Sequence, residues 1–249
     1  MKNYGLIGYP LTHSFSKRFF TEKFEIENTN AVYENFEIDS ISLFPEVIKN
    51  NPEVIGLNVT IPYKEQVIPY LNELDEAAEK VGAVNTVRIS RTNKGNLLKG
   101  FNTDTYGFES SLKPLLKPHH KKALILGTGG ASKAIKFVLS KLGIDFISAS
   151  IEELKDKEIR YDDIDEKLMN ERLLIINATP LGTYPKTETL APIPYEHIGE
   201  KHLLFDLVYN PEETLFMKKG KEQGATVKNG YEMLLQQALK SYEIWNAEE

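Results

Sequence analysis

Cysteine is absent from all 249 residues. That excludes disulfides, thiolate nucleophiles and cysteine-type zinc sites together. Long apolar runs are absent too. No stretch approaches the ~20 apolar residues that a membrane helix needs, and the opening MKNYGLIGYP has no long apolar run, unlike a signal peptide. An excess of positive charge is also missing. The 30 basic side chains face 36 acidic ones, for a net charge of -6, whereas a nucleic-acid surface needs a basic stripe. What is there is the composition of a soluble globular chain, 41% hydrophobic and 27% charged. The length suits one large domain or two smaller ones. The expected location is the cytoplasm, with neither nucleic acid nor membrane as a partner.

Short apolar runs alternate with helical patterns along the chain. Residues 4–9, 31–38, 54–61, 83–88 and 97–101 read as strands; 16–23, 41–49 and 63–81 read as helical. This alternation implies an α/β sheet. A helical stretch at 105–116 and the polar break KPHHKK follow, and then KALILGTGGASKAIKFVLSKLG reads as strand, glycine turn and helix. IDFISAS, LLIINATP, HLLFDLVY and GATVKNG supply further strands, and the amphipathic tail 231–245 a last helix. The expected fold is therefore α/β with two domains. An N-terminal α/β substrate domain comprises 1–104 plus 231–249, and a Rossmann-like dinucleotide-binding domain with a parallel sheet comprises 105–230.

In LILGTGGASKA, Gly127, Gly129 and Gly130 stand between an apolar strand and a helix. Glycines there let the backbone turn sharply and approach a pyrophosphate seated on the helix N-terminus. A strand–helix turn without a ligand has the same local pattern. NAD-binding chains place Asp or Glu at the end of the next strand, ~20 residues on, to hold the ribose 2′-OH. Here that place reads Ser148-Ala149-Ser150. The missing acid and the two hydroxyls favour NADP, with Lys155 or Lys157 as the source of positive charge.

In GLNVTIPYKEQV a proline ends a strand that carries Asn58 and Thr60, and Lys64 follows two residues later. LTHSFS adds Ser14 and Ser16, GAVNT adds Asn85 and Thr86, and GFNTD adds Asn102 and Asp104. Each motif lies where a strand gives way to a loop or helix, which is where open α/β sheets bind ligands. Hydroxyls, amides, one lysine and one aspartate suit a small polyol, which needs donors and acceptors. They do not suit a metal, since hard cations want several carboxylates. Singly, each has a plain structural role: Ser14 or Ser16 as a helix cap, Asn85 and Asn102 as turn caps, Lys64 as a solvated side chain.

In order and spacing, HSFS, NVTIPYK, GAVNT, NTD, GTGGAS, NATPLGTYP, DLVYNP and NGYEMLLQQA resemble the shikimate dehydrogenase family along nearly the whole chain. The resemblance implies reversible NADP-dependent reduction of 3-dehydroshikimate to shikimate, in an interdomain cleft, by a monomer or homodimer. A quinate/shikimate dehydrogenase with looser substrate and cofactor choice is the alternative. By position, Ser14 and Ser16 look like the pair that holds the substrate carboxylate. Thr60, Asn85, Tyr209 and Gln237 look like further substrate contacts, and Lys64 and Asp104 like the catalytic pair. Gly127, Gly129, Gly130, Ala131 and Ser132 look like the phosphate cradle. Thr179, Gly230 and Met233 look like neighbours of the ribose and nicotinamide. The chain departs from the family at Lys17, where proline is usual, and at Phe20, where histidine is common. It departs again where Ser148-Ala149-Ser150 replaces the family's Asn-Arg-Thr clamp for the 2′-phosphate. Restoring arginine at 149 is expected to strengthen NADP binding.

Overall fold

The computed structural model describes residues 1–11, 15–93 and 95–247; Ser14 lies outside them. In chain order the first elements are β1 (Lys2–Gly8), α1 (Phe15–Ile26), β2 (Ala31–Glu37), α2 (Phe44–Asn50), β3 (Val54–Val59), β4 (Glu73–Leu74), α3 (Glu76–Val81), β5 (Thr86–Thr92), β6 (Gly95–Phe101) and α4 (Thr103–Leu112). Then come β7 (Lys122–Leu126), α5 (Gly130–Lys141), β8 (Asp145–Ala149), β9 (Glu158–Ile159), α6 (Glu166–Glu171), β10 (Leu174–Asn177), β11 (Leu203–Asp206), α7 (Leu215–Glu222), β12 (Thr226–Lys228) and α8 (Tyr231–Asn246). Among the described residues no helix is long and apolar enough to cross a membrane. The chain divides into two compact units, Met1–Thr103 with Ala238–Glu249, and Asp104–Gln237. Both divisions fall inside helices, α4 and α8, so residues 231–237 group with the second unit rather than with the first, where the sequence reading puts them.

The first unit holds a six-stranded sheet in the order β2-β1-β3-β5-β6-β4. β1 runs parallel to β2 and β3, while β5 is antiparallel to β3 and β6. β1 is buried along nearly its whole length, as a central parallel strand covered on both faces must be. One face packs an aromatic cluster. Tyr4 stacks on Trp245 at 5.0 Å between centroids and Phe20 on Tyr33 at 4.8 Å, pairs worth about 0.5–1.5 kcal/mol each beyond area burial. Trp245 Nε1 donates to the Val87 carbonyl at 3.0 Å. A Cβ at Gly56 would lie 2.3 Å from the Trp245 ring, so the strand accepts the indole only as glycine.

The long helix expected over 63–81 is not formed. A single 3-10 turn at Ile68–Tyr70 contains Pro69, and α3 begins only after Asp75, whose carboxylate accepts from Ala78 N at 2.8 Å. Between them, residues 73–74 pair with β6. Pro62 and Pro69 each remove a backbone donor from this stretch, and sheet pairing at 73–74 takes backbone groups that a helix would need. β3 also stops at Val59 rather than 61. Leu57 and Val59 are buried, but Ile61 is 74% exposed, and Asn58, on the strand's other face, is buried as well.

The second unit is an all-parallel sheet in the order β12-β11-β10-β7-β8-β9. Numbered within the unit this is 3-2-1-4-5-6, the doubly wound dinucleotide-binding order, which reverses between β7 and β10. The runs Ala123–Leu126, Leu174–Asn177 and Leu203–Asp206 are buried throughout. Continuous burial of this kind requires cover on both faces. Two elements carry too short a pattern to be legible in sequence: β9, two residues long, and α6, six residues capped by Asp165.

Candidate active site

In the first unit, four backbone bonds gather the predicted residues at one end of the sheet. Thr60 N donates to Ile7 O at 2.8 Å, Val59 N to Asn85 O at 2.9 Å, Val84 N to Lys64 O at 2.7 Å and Asn85 N to Phe101 O at 3.0 Å. Tyr63 and Val67, one helical turn apart, are buried, and the Tyr63 hydroxyl donates to Ile38 O at 2.6 Å. These anchors hold the proline turn, and half-buried Lys64 lies between them at its rim. The Thr60 methyl packs where a Cβ on Gly8 would sit, 2.4 Å away.

Asn85 is held by a buried polar network. Its Oδ1 accepts from Thr103 N at 2.7 Å, Thr103 Oγ1 at 3.1 Å and Thr86 Oγ1 at 3.2 Å. With that oxygen committed, the amide keeps its NH2 as the group to offer a ligand. Ser241 Oγ lies 2.7 Å from Thr86 Oγ1 and 3.1 Å from Thr103 Oγ1, and it accepts from Asn58 Nδ2 at 3.1 Å. Asn58 Nδ2 also faces the Asn85 carbonyl at 3.2 Å, so its Oδ1 must be the atom that accepts from the Tyr33 hydroxyl at 2.7 Å. Burial pushes the Tyr33 phenol well above its ordinary value and keeps it a donor, and its oxygen also bonds the Ser16 side chain. Ser16 and Asn85, two predicted substrate contacts, are thus joined through Tyr33, Asn58, Ser241 and Thr86. Sequence reading named Asn58 and Thr86 in the polar inventory but missed Tyr33, Thr103 and Ser241. Asn102 is a clasp: its Nδ2 donates to Ala83 O at 2.9 Å and its backbone N–H bonds the Asp75 carboxylate.

In the second unit the two loops at the sheet's reversal meet. Gly127 has φ +96, and a Cβ there would lie 2.8 Å from Thr179 Cγ2. Only glycine takes that conformation and that contact together. Gly129 caps α5 without a side chain, and Cβ atoms at Gly129 or Gly130 would enter open space. Together with exposed Ala131 these leave a backbone cradle at a helix N-terminus, which fits a dinucleotide's phosphates. Ser132 belongs to the cradle's frame rather than its surface: it is buried, and its hydroxyl donates to Gly129 O at 2.6 Å. Thr179 is fixed by Asn177, whose Oδ1 accepts from its N and Oγ1 at 3.1 and 2.6 Å. Asn177 Nδ2 donates to Asp206 Oδ1 at 2.9 Å, and Asp206 also accepts from Val208 N and Thr214 Oγ1. Burial raises the Asp206 carboxyl to about 6 despite those three donors.

Gly230 is dictated by packing, since a Cβ would lie 2.1 Å from Leu207 O. At Gly107 a Cβ would lie 2.4 Å from Met233 O and 3.1 Å from Gln237 Cβ, so α4 and the first half of α8 touch there. Met233 is buried in the second unit's core, and Gln237 Nε2 donates to Leu234 O at 2.8 Å. Tyr209 is 42% exposed. Asp104 stands in the first turn of α4, where the helix dipole favours an acid.

The strand-end hydroxyls require a correction. Ser148 is fully buried with its Oγ unpaired, so it is not a surface hydroxyl for a phosphate. Its neighbour Ala149 is also fully buried, in the core with Leu126 and Ile164. Arginine at 149 would put a guanidinium into that core rather than at the cofactor. Ser150 is buried as well, and its Oγ accepts from Glu152 N at 3.1 Å.

The model of the shikimate dehydrogenase substrate binding domain matches residues 6–87. A shikimate dehydrogenase (NADP(+)) of Methanosphaera stadtmanae is 37% identical, over 97% of this chain and 90% of its own. The crystal structure of a chorismate mutase/shikimate 5-dehydrogenase fusion protein from Clostridium acetobutylicum is 37% identical, covers 99% of this chain and 91% of its own, and superposes with a TM-score of 0.86. That of the Thermus thermophilus shikimate 5-dehydrogenase, in complex with NADP(H) and shikimate, is 28% identical over 99% of this chain and 94% of its own, with a TM-score of 0.84.

Proposed function

This chain belongs to the shikimate dehydrogenase family, and from that premise we propose that it catalyses the reversible NADP-dependent reduction of 3-dehydroshikimate to shikimate. The observation that carries the reading is the buried network that holds the Asn85 amide beside the Lys64 loop. A network of buried polar side chains, spent on orienting one asparagine, fits recognition of a ring hydroxyl or ketone oxygen by its NH2. The dinucleotide, when bound, supplies the hydride for reduction and accepts it in oxidation. Gly127, Gly129, Gly130 and Ala131 would hold its phosphates, and Thr179, Gly230 and Met233 would stand on the side of its ribose and nicotinamide.

Hydride delivery leaves negative charge on the ketone oxygen. Lys64 gives that oxygen a proton and takes it back in the reverse direction, with Asp104 as the second member of the catalytic pair. A positioned acid–base group contributes about 10²–10⁴ in rate. Ser14 and Ser16 receive the substrate carboxylate, and Thr60, Asn85, Tyr209 and Gln237 its hydroxyls. The protein works in the cytoplasm, in aromatic amino-acid biosynthesis, as a monomer or homodimer. Lys64→Ala should lower kcat by about 10²–10⁴ with a smaller change in KM. An unchanged kcat in the folded variant would remove Lys64 from the chemistry. Steady-state kinetics with shikimate and quinate, each with NADP and NAD, test the substrate and cofactor assignment directly.

A further inference from the structure

The end of β8 carries no arginine in sequence, yet the fold brings one there. β9 pairs parallel with β8, Ser148 opposite Glu158 and Ala149 opposite Ile159. Ser150 N extends the pairing by donating to Ile159 O at 2.9 Å. Arg160 follows Ile159 and so leaves the sheet beside Ser150. Its Nη1 donates to the Glu152 carbonyl at 2.6 Å, while Ser150 Oγ accepts from the Glu152 N–H at 3.1 Å. One residue is thus gripped on two sides, by the strand-end hydroxyl and by the guanidinium. Thr128 Oγ1, in the glycine loop, lies 3.4 Å from Ser150 Oγ and ties the cradle to the same corner.

The chemistry at this corner matches a phosphate. A guanidinium has five N–H donors in a planar fork, and one serves the Glu152 carbonyl. Asp163 is occupied by the Arg160 backbone, its Oδ2 accepting that N–H at 3.0 Å. Among the described residues no carboxylate forms an ion pair with the guanidinium. The lysines are less well placed. Lys157 Nζ lies 3.9 Å from Asp145 Oδ1 and 5.2 Å over the Phe146 ring, toward the opposite end of β8. Lys155 lies further along the exposed loop, its backbone N–H on Glu158 Oε2 at 3.1 Å. Exposed Glu152 and Glu153 bring negative charge to the corner, so a phosphate there needs a fixed cation. A guanidinium meets phosphate with paired parallel N–H donors, which an ammonium cannot do.

We propose that Arg160 recognises the 2′-phosphate of NADP in this chain, in place of an arginine at the strand end. The proposal rests on the NADP-dependent reading above and names the residue that sets its cofactor preference. The test is calorimetric binding of NADP, NAD and 2′,5′-ADP to the full chain and to its Arg160→Gln and Arg160→Lys variants. Arg160→Gln should weaken NADP and 2′,5′-ADP by about tenfold to a hundredfold, the loss of a charged hydrogen-bond pair, and leave NAD unchanged. Arg160→Lys should fall between. Equal weakening of NADP and NAD would show that Arg160 only braces the 150–152 loop, and unchanged NADP affinity would show that it takes no part; either overturns the proposal. Failure of the wild-type chain to bind any of the three would overturn the functional reading itself, and this proposal with it.

Discussion

Asp206→Asn tests how the second unit is held together at the sheet's reversal. Asp206 is fully buried, and desolvation raises its carboxyl from 3.8 to about 6 against the lowering effect of Thr214, Val208 and Asn177. Below pH 3.8 the folded and unfolded chains both hold this proton, and the group contributes no pH dependence. From 3.8 to about 6 the unfolded chain has released the proton and the folded chain keeps it, so stability falls as pH rises. Above 6 both are ionised and the loss is complete. At about 1.36 kcal/mol per pH unit, a rise from 3.8 to about 6 corresponds to about 3 kcal/mol. Asparagine resembles the protonated acid, with an oxygen for Asn177 and Val208 and a donor toward Thr214, but it does not titrate. The variant should therefore gain about 3 kcal/mol relative to wild type between pH 4 and 7, most of it by pH 6. Amide hydrogen exchange in β10 and β11 reads this locally. Comparing the two proteins at each pH cancels the intrinsic pH dependence of exchange. Stability curves that stay parallel over that range would refute the burial argument for Asp206.

Ser241→Ala removes three buried hydrogen bonds, to Asn58, Thr86 and Thr103. It should cost about 1–3 kcal/mol in stability and raise KM for shikimate several-fold without changing the affinity for NADP. An unchanged KM for shikimate would detach the network from substrate binding. Ala149→Arg should destabilise the chain by about 3 kcal/mol or more, since it places an unpaired charge in a packed core, as a lowered thermal midpoint would show. A stable variant with tighter NADP binding would mean that position 149 opens to the cofactor.

Much of this protein is legible in one dimension because its chemistry sits in short contiguous pieces. The apolar runs of β7, β10 and β11 had to be buried strands. The glycines at 127, 129 and 130 marked the turn that leads into α5, and Gly127 takes a φ that other residues avoid. The motifs around Lys64, Asn85 and Asp104 carried the family resemblance that fixed the reaction. What the sequence could not decide were outcomes of competition and of pairing. Residues 63–75 have a helical pattern, but prolines and the edge of β6 claim their backbone. Ser148, Ala149 and Ser150 read as a strand end in sequence, and only the sheet's position within its core shows that all three are sealed. Thr103, Ser241 and Tyr33 orient Asn58 and Asn85 from segments far apart along the chain. Arg160 reaches the end of β8 only because β9 runs parallel beside it. Local sequence sets backbone conformation and the identity of reactive groups, because those depend on neighbours in the chain. Burial, orientation and the company a side chain keeps depend on strand pairing, which distant segments determine together.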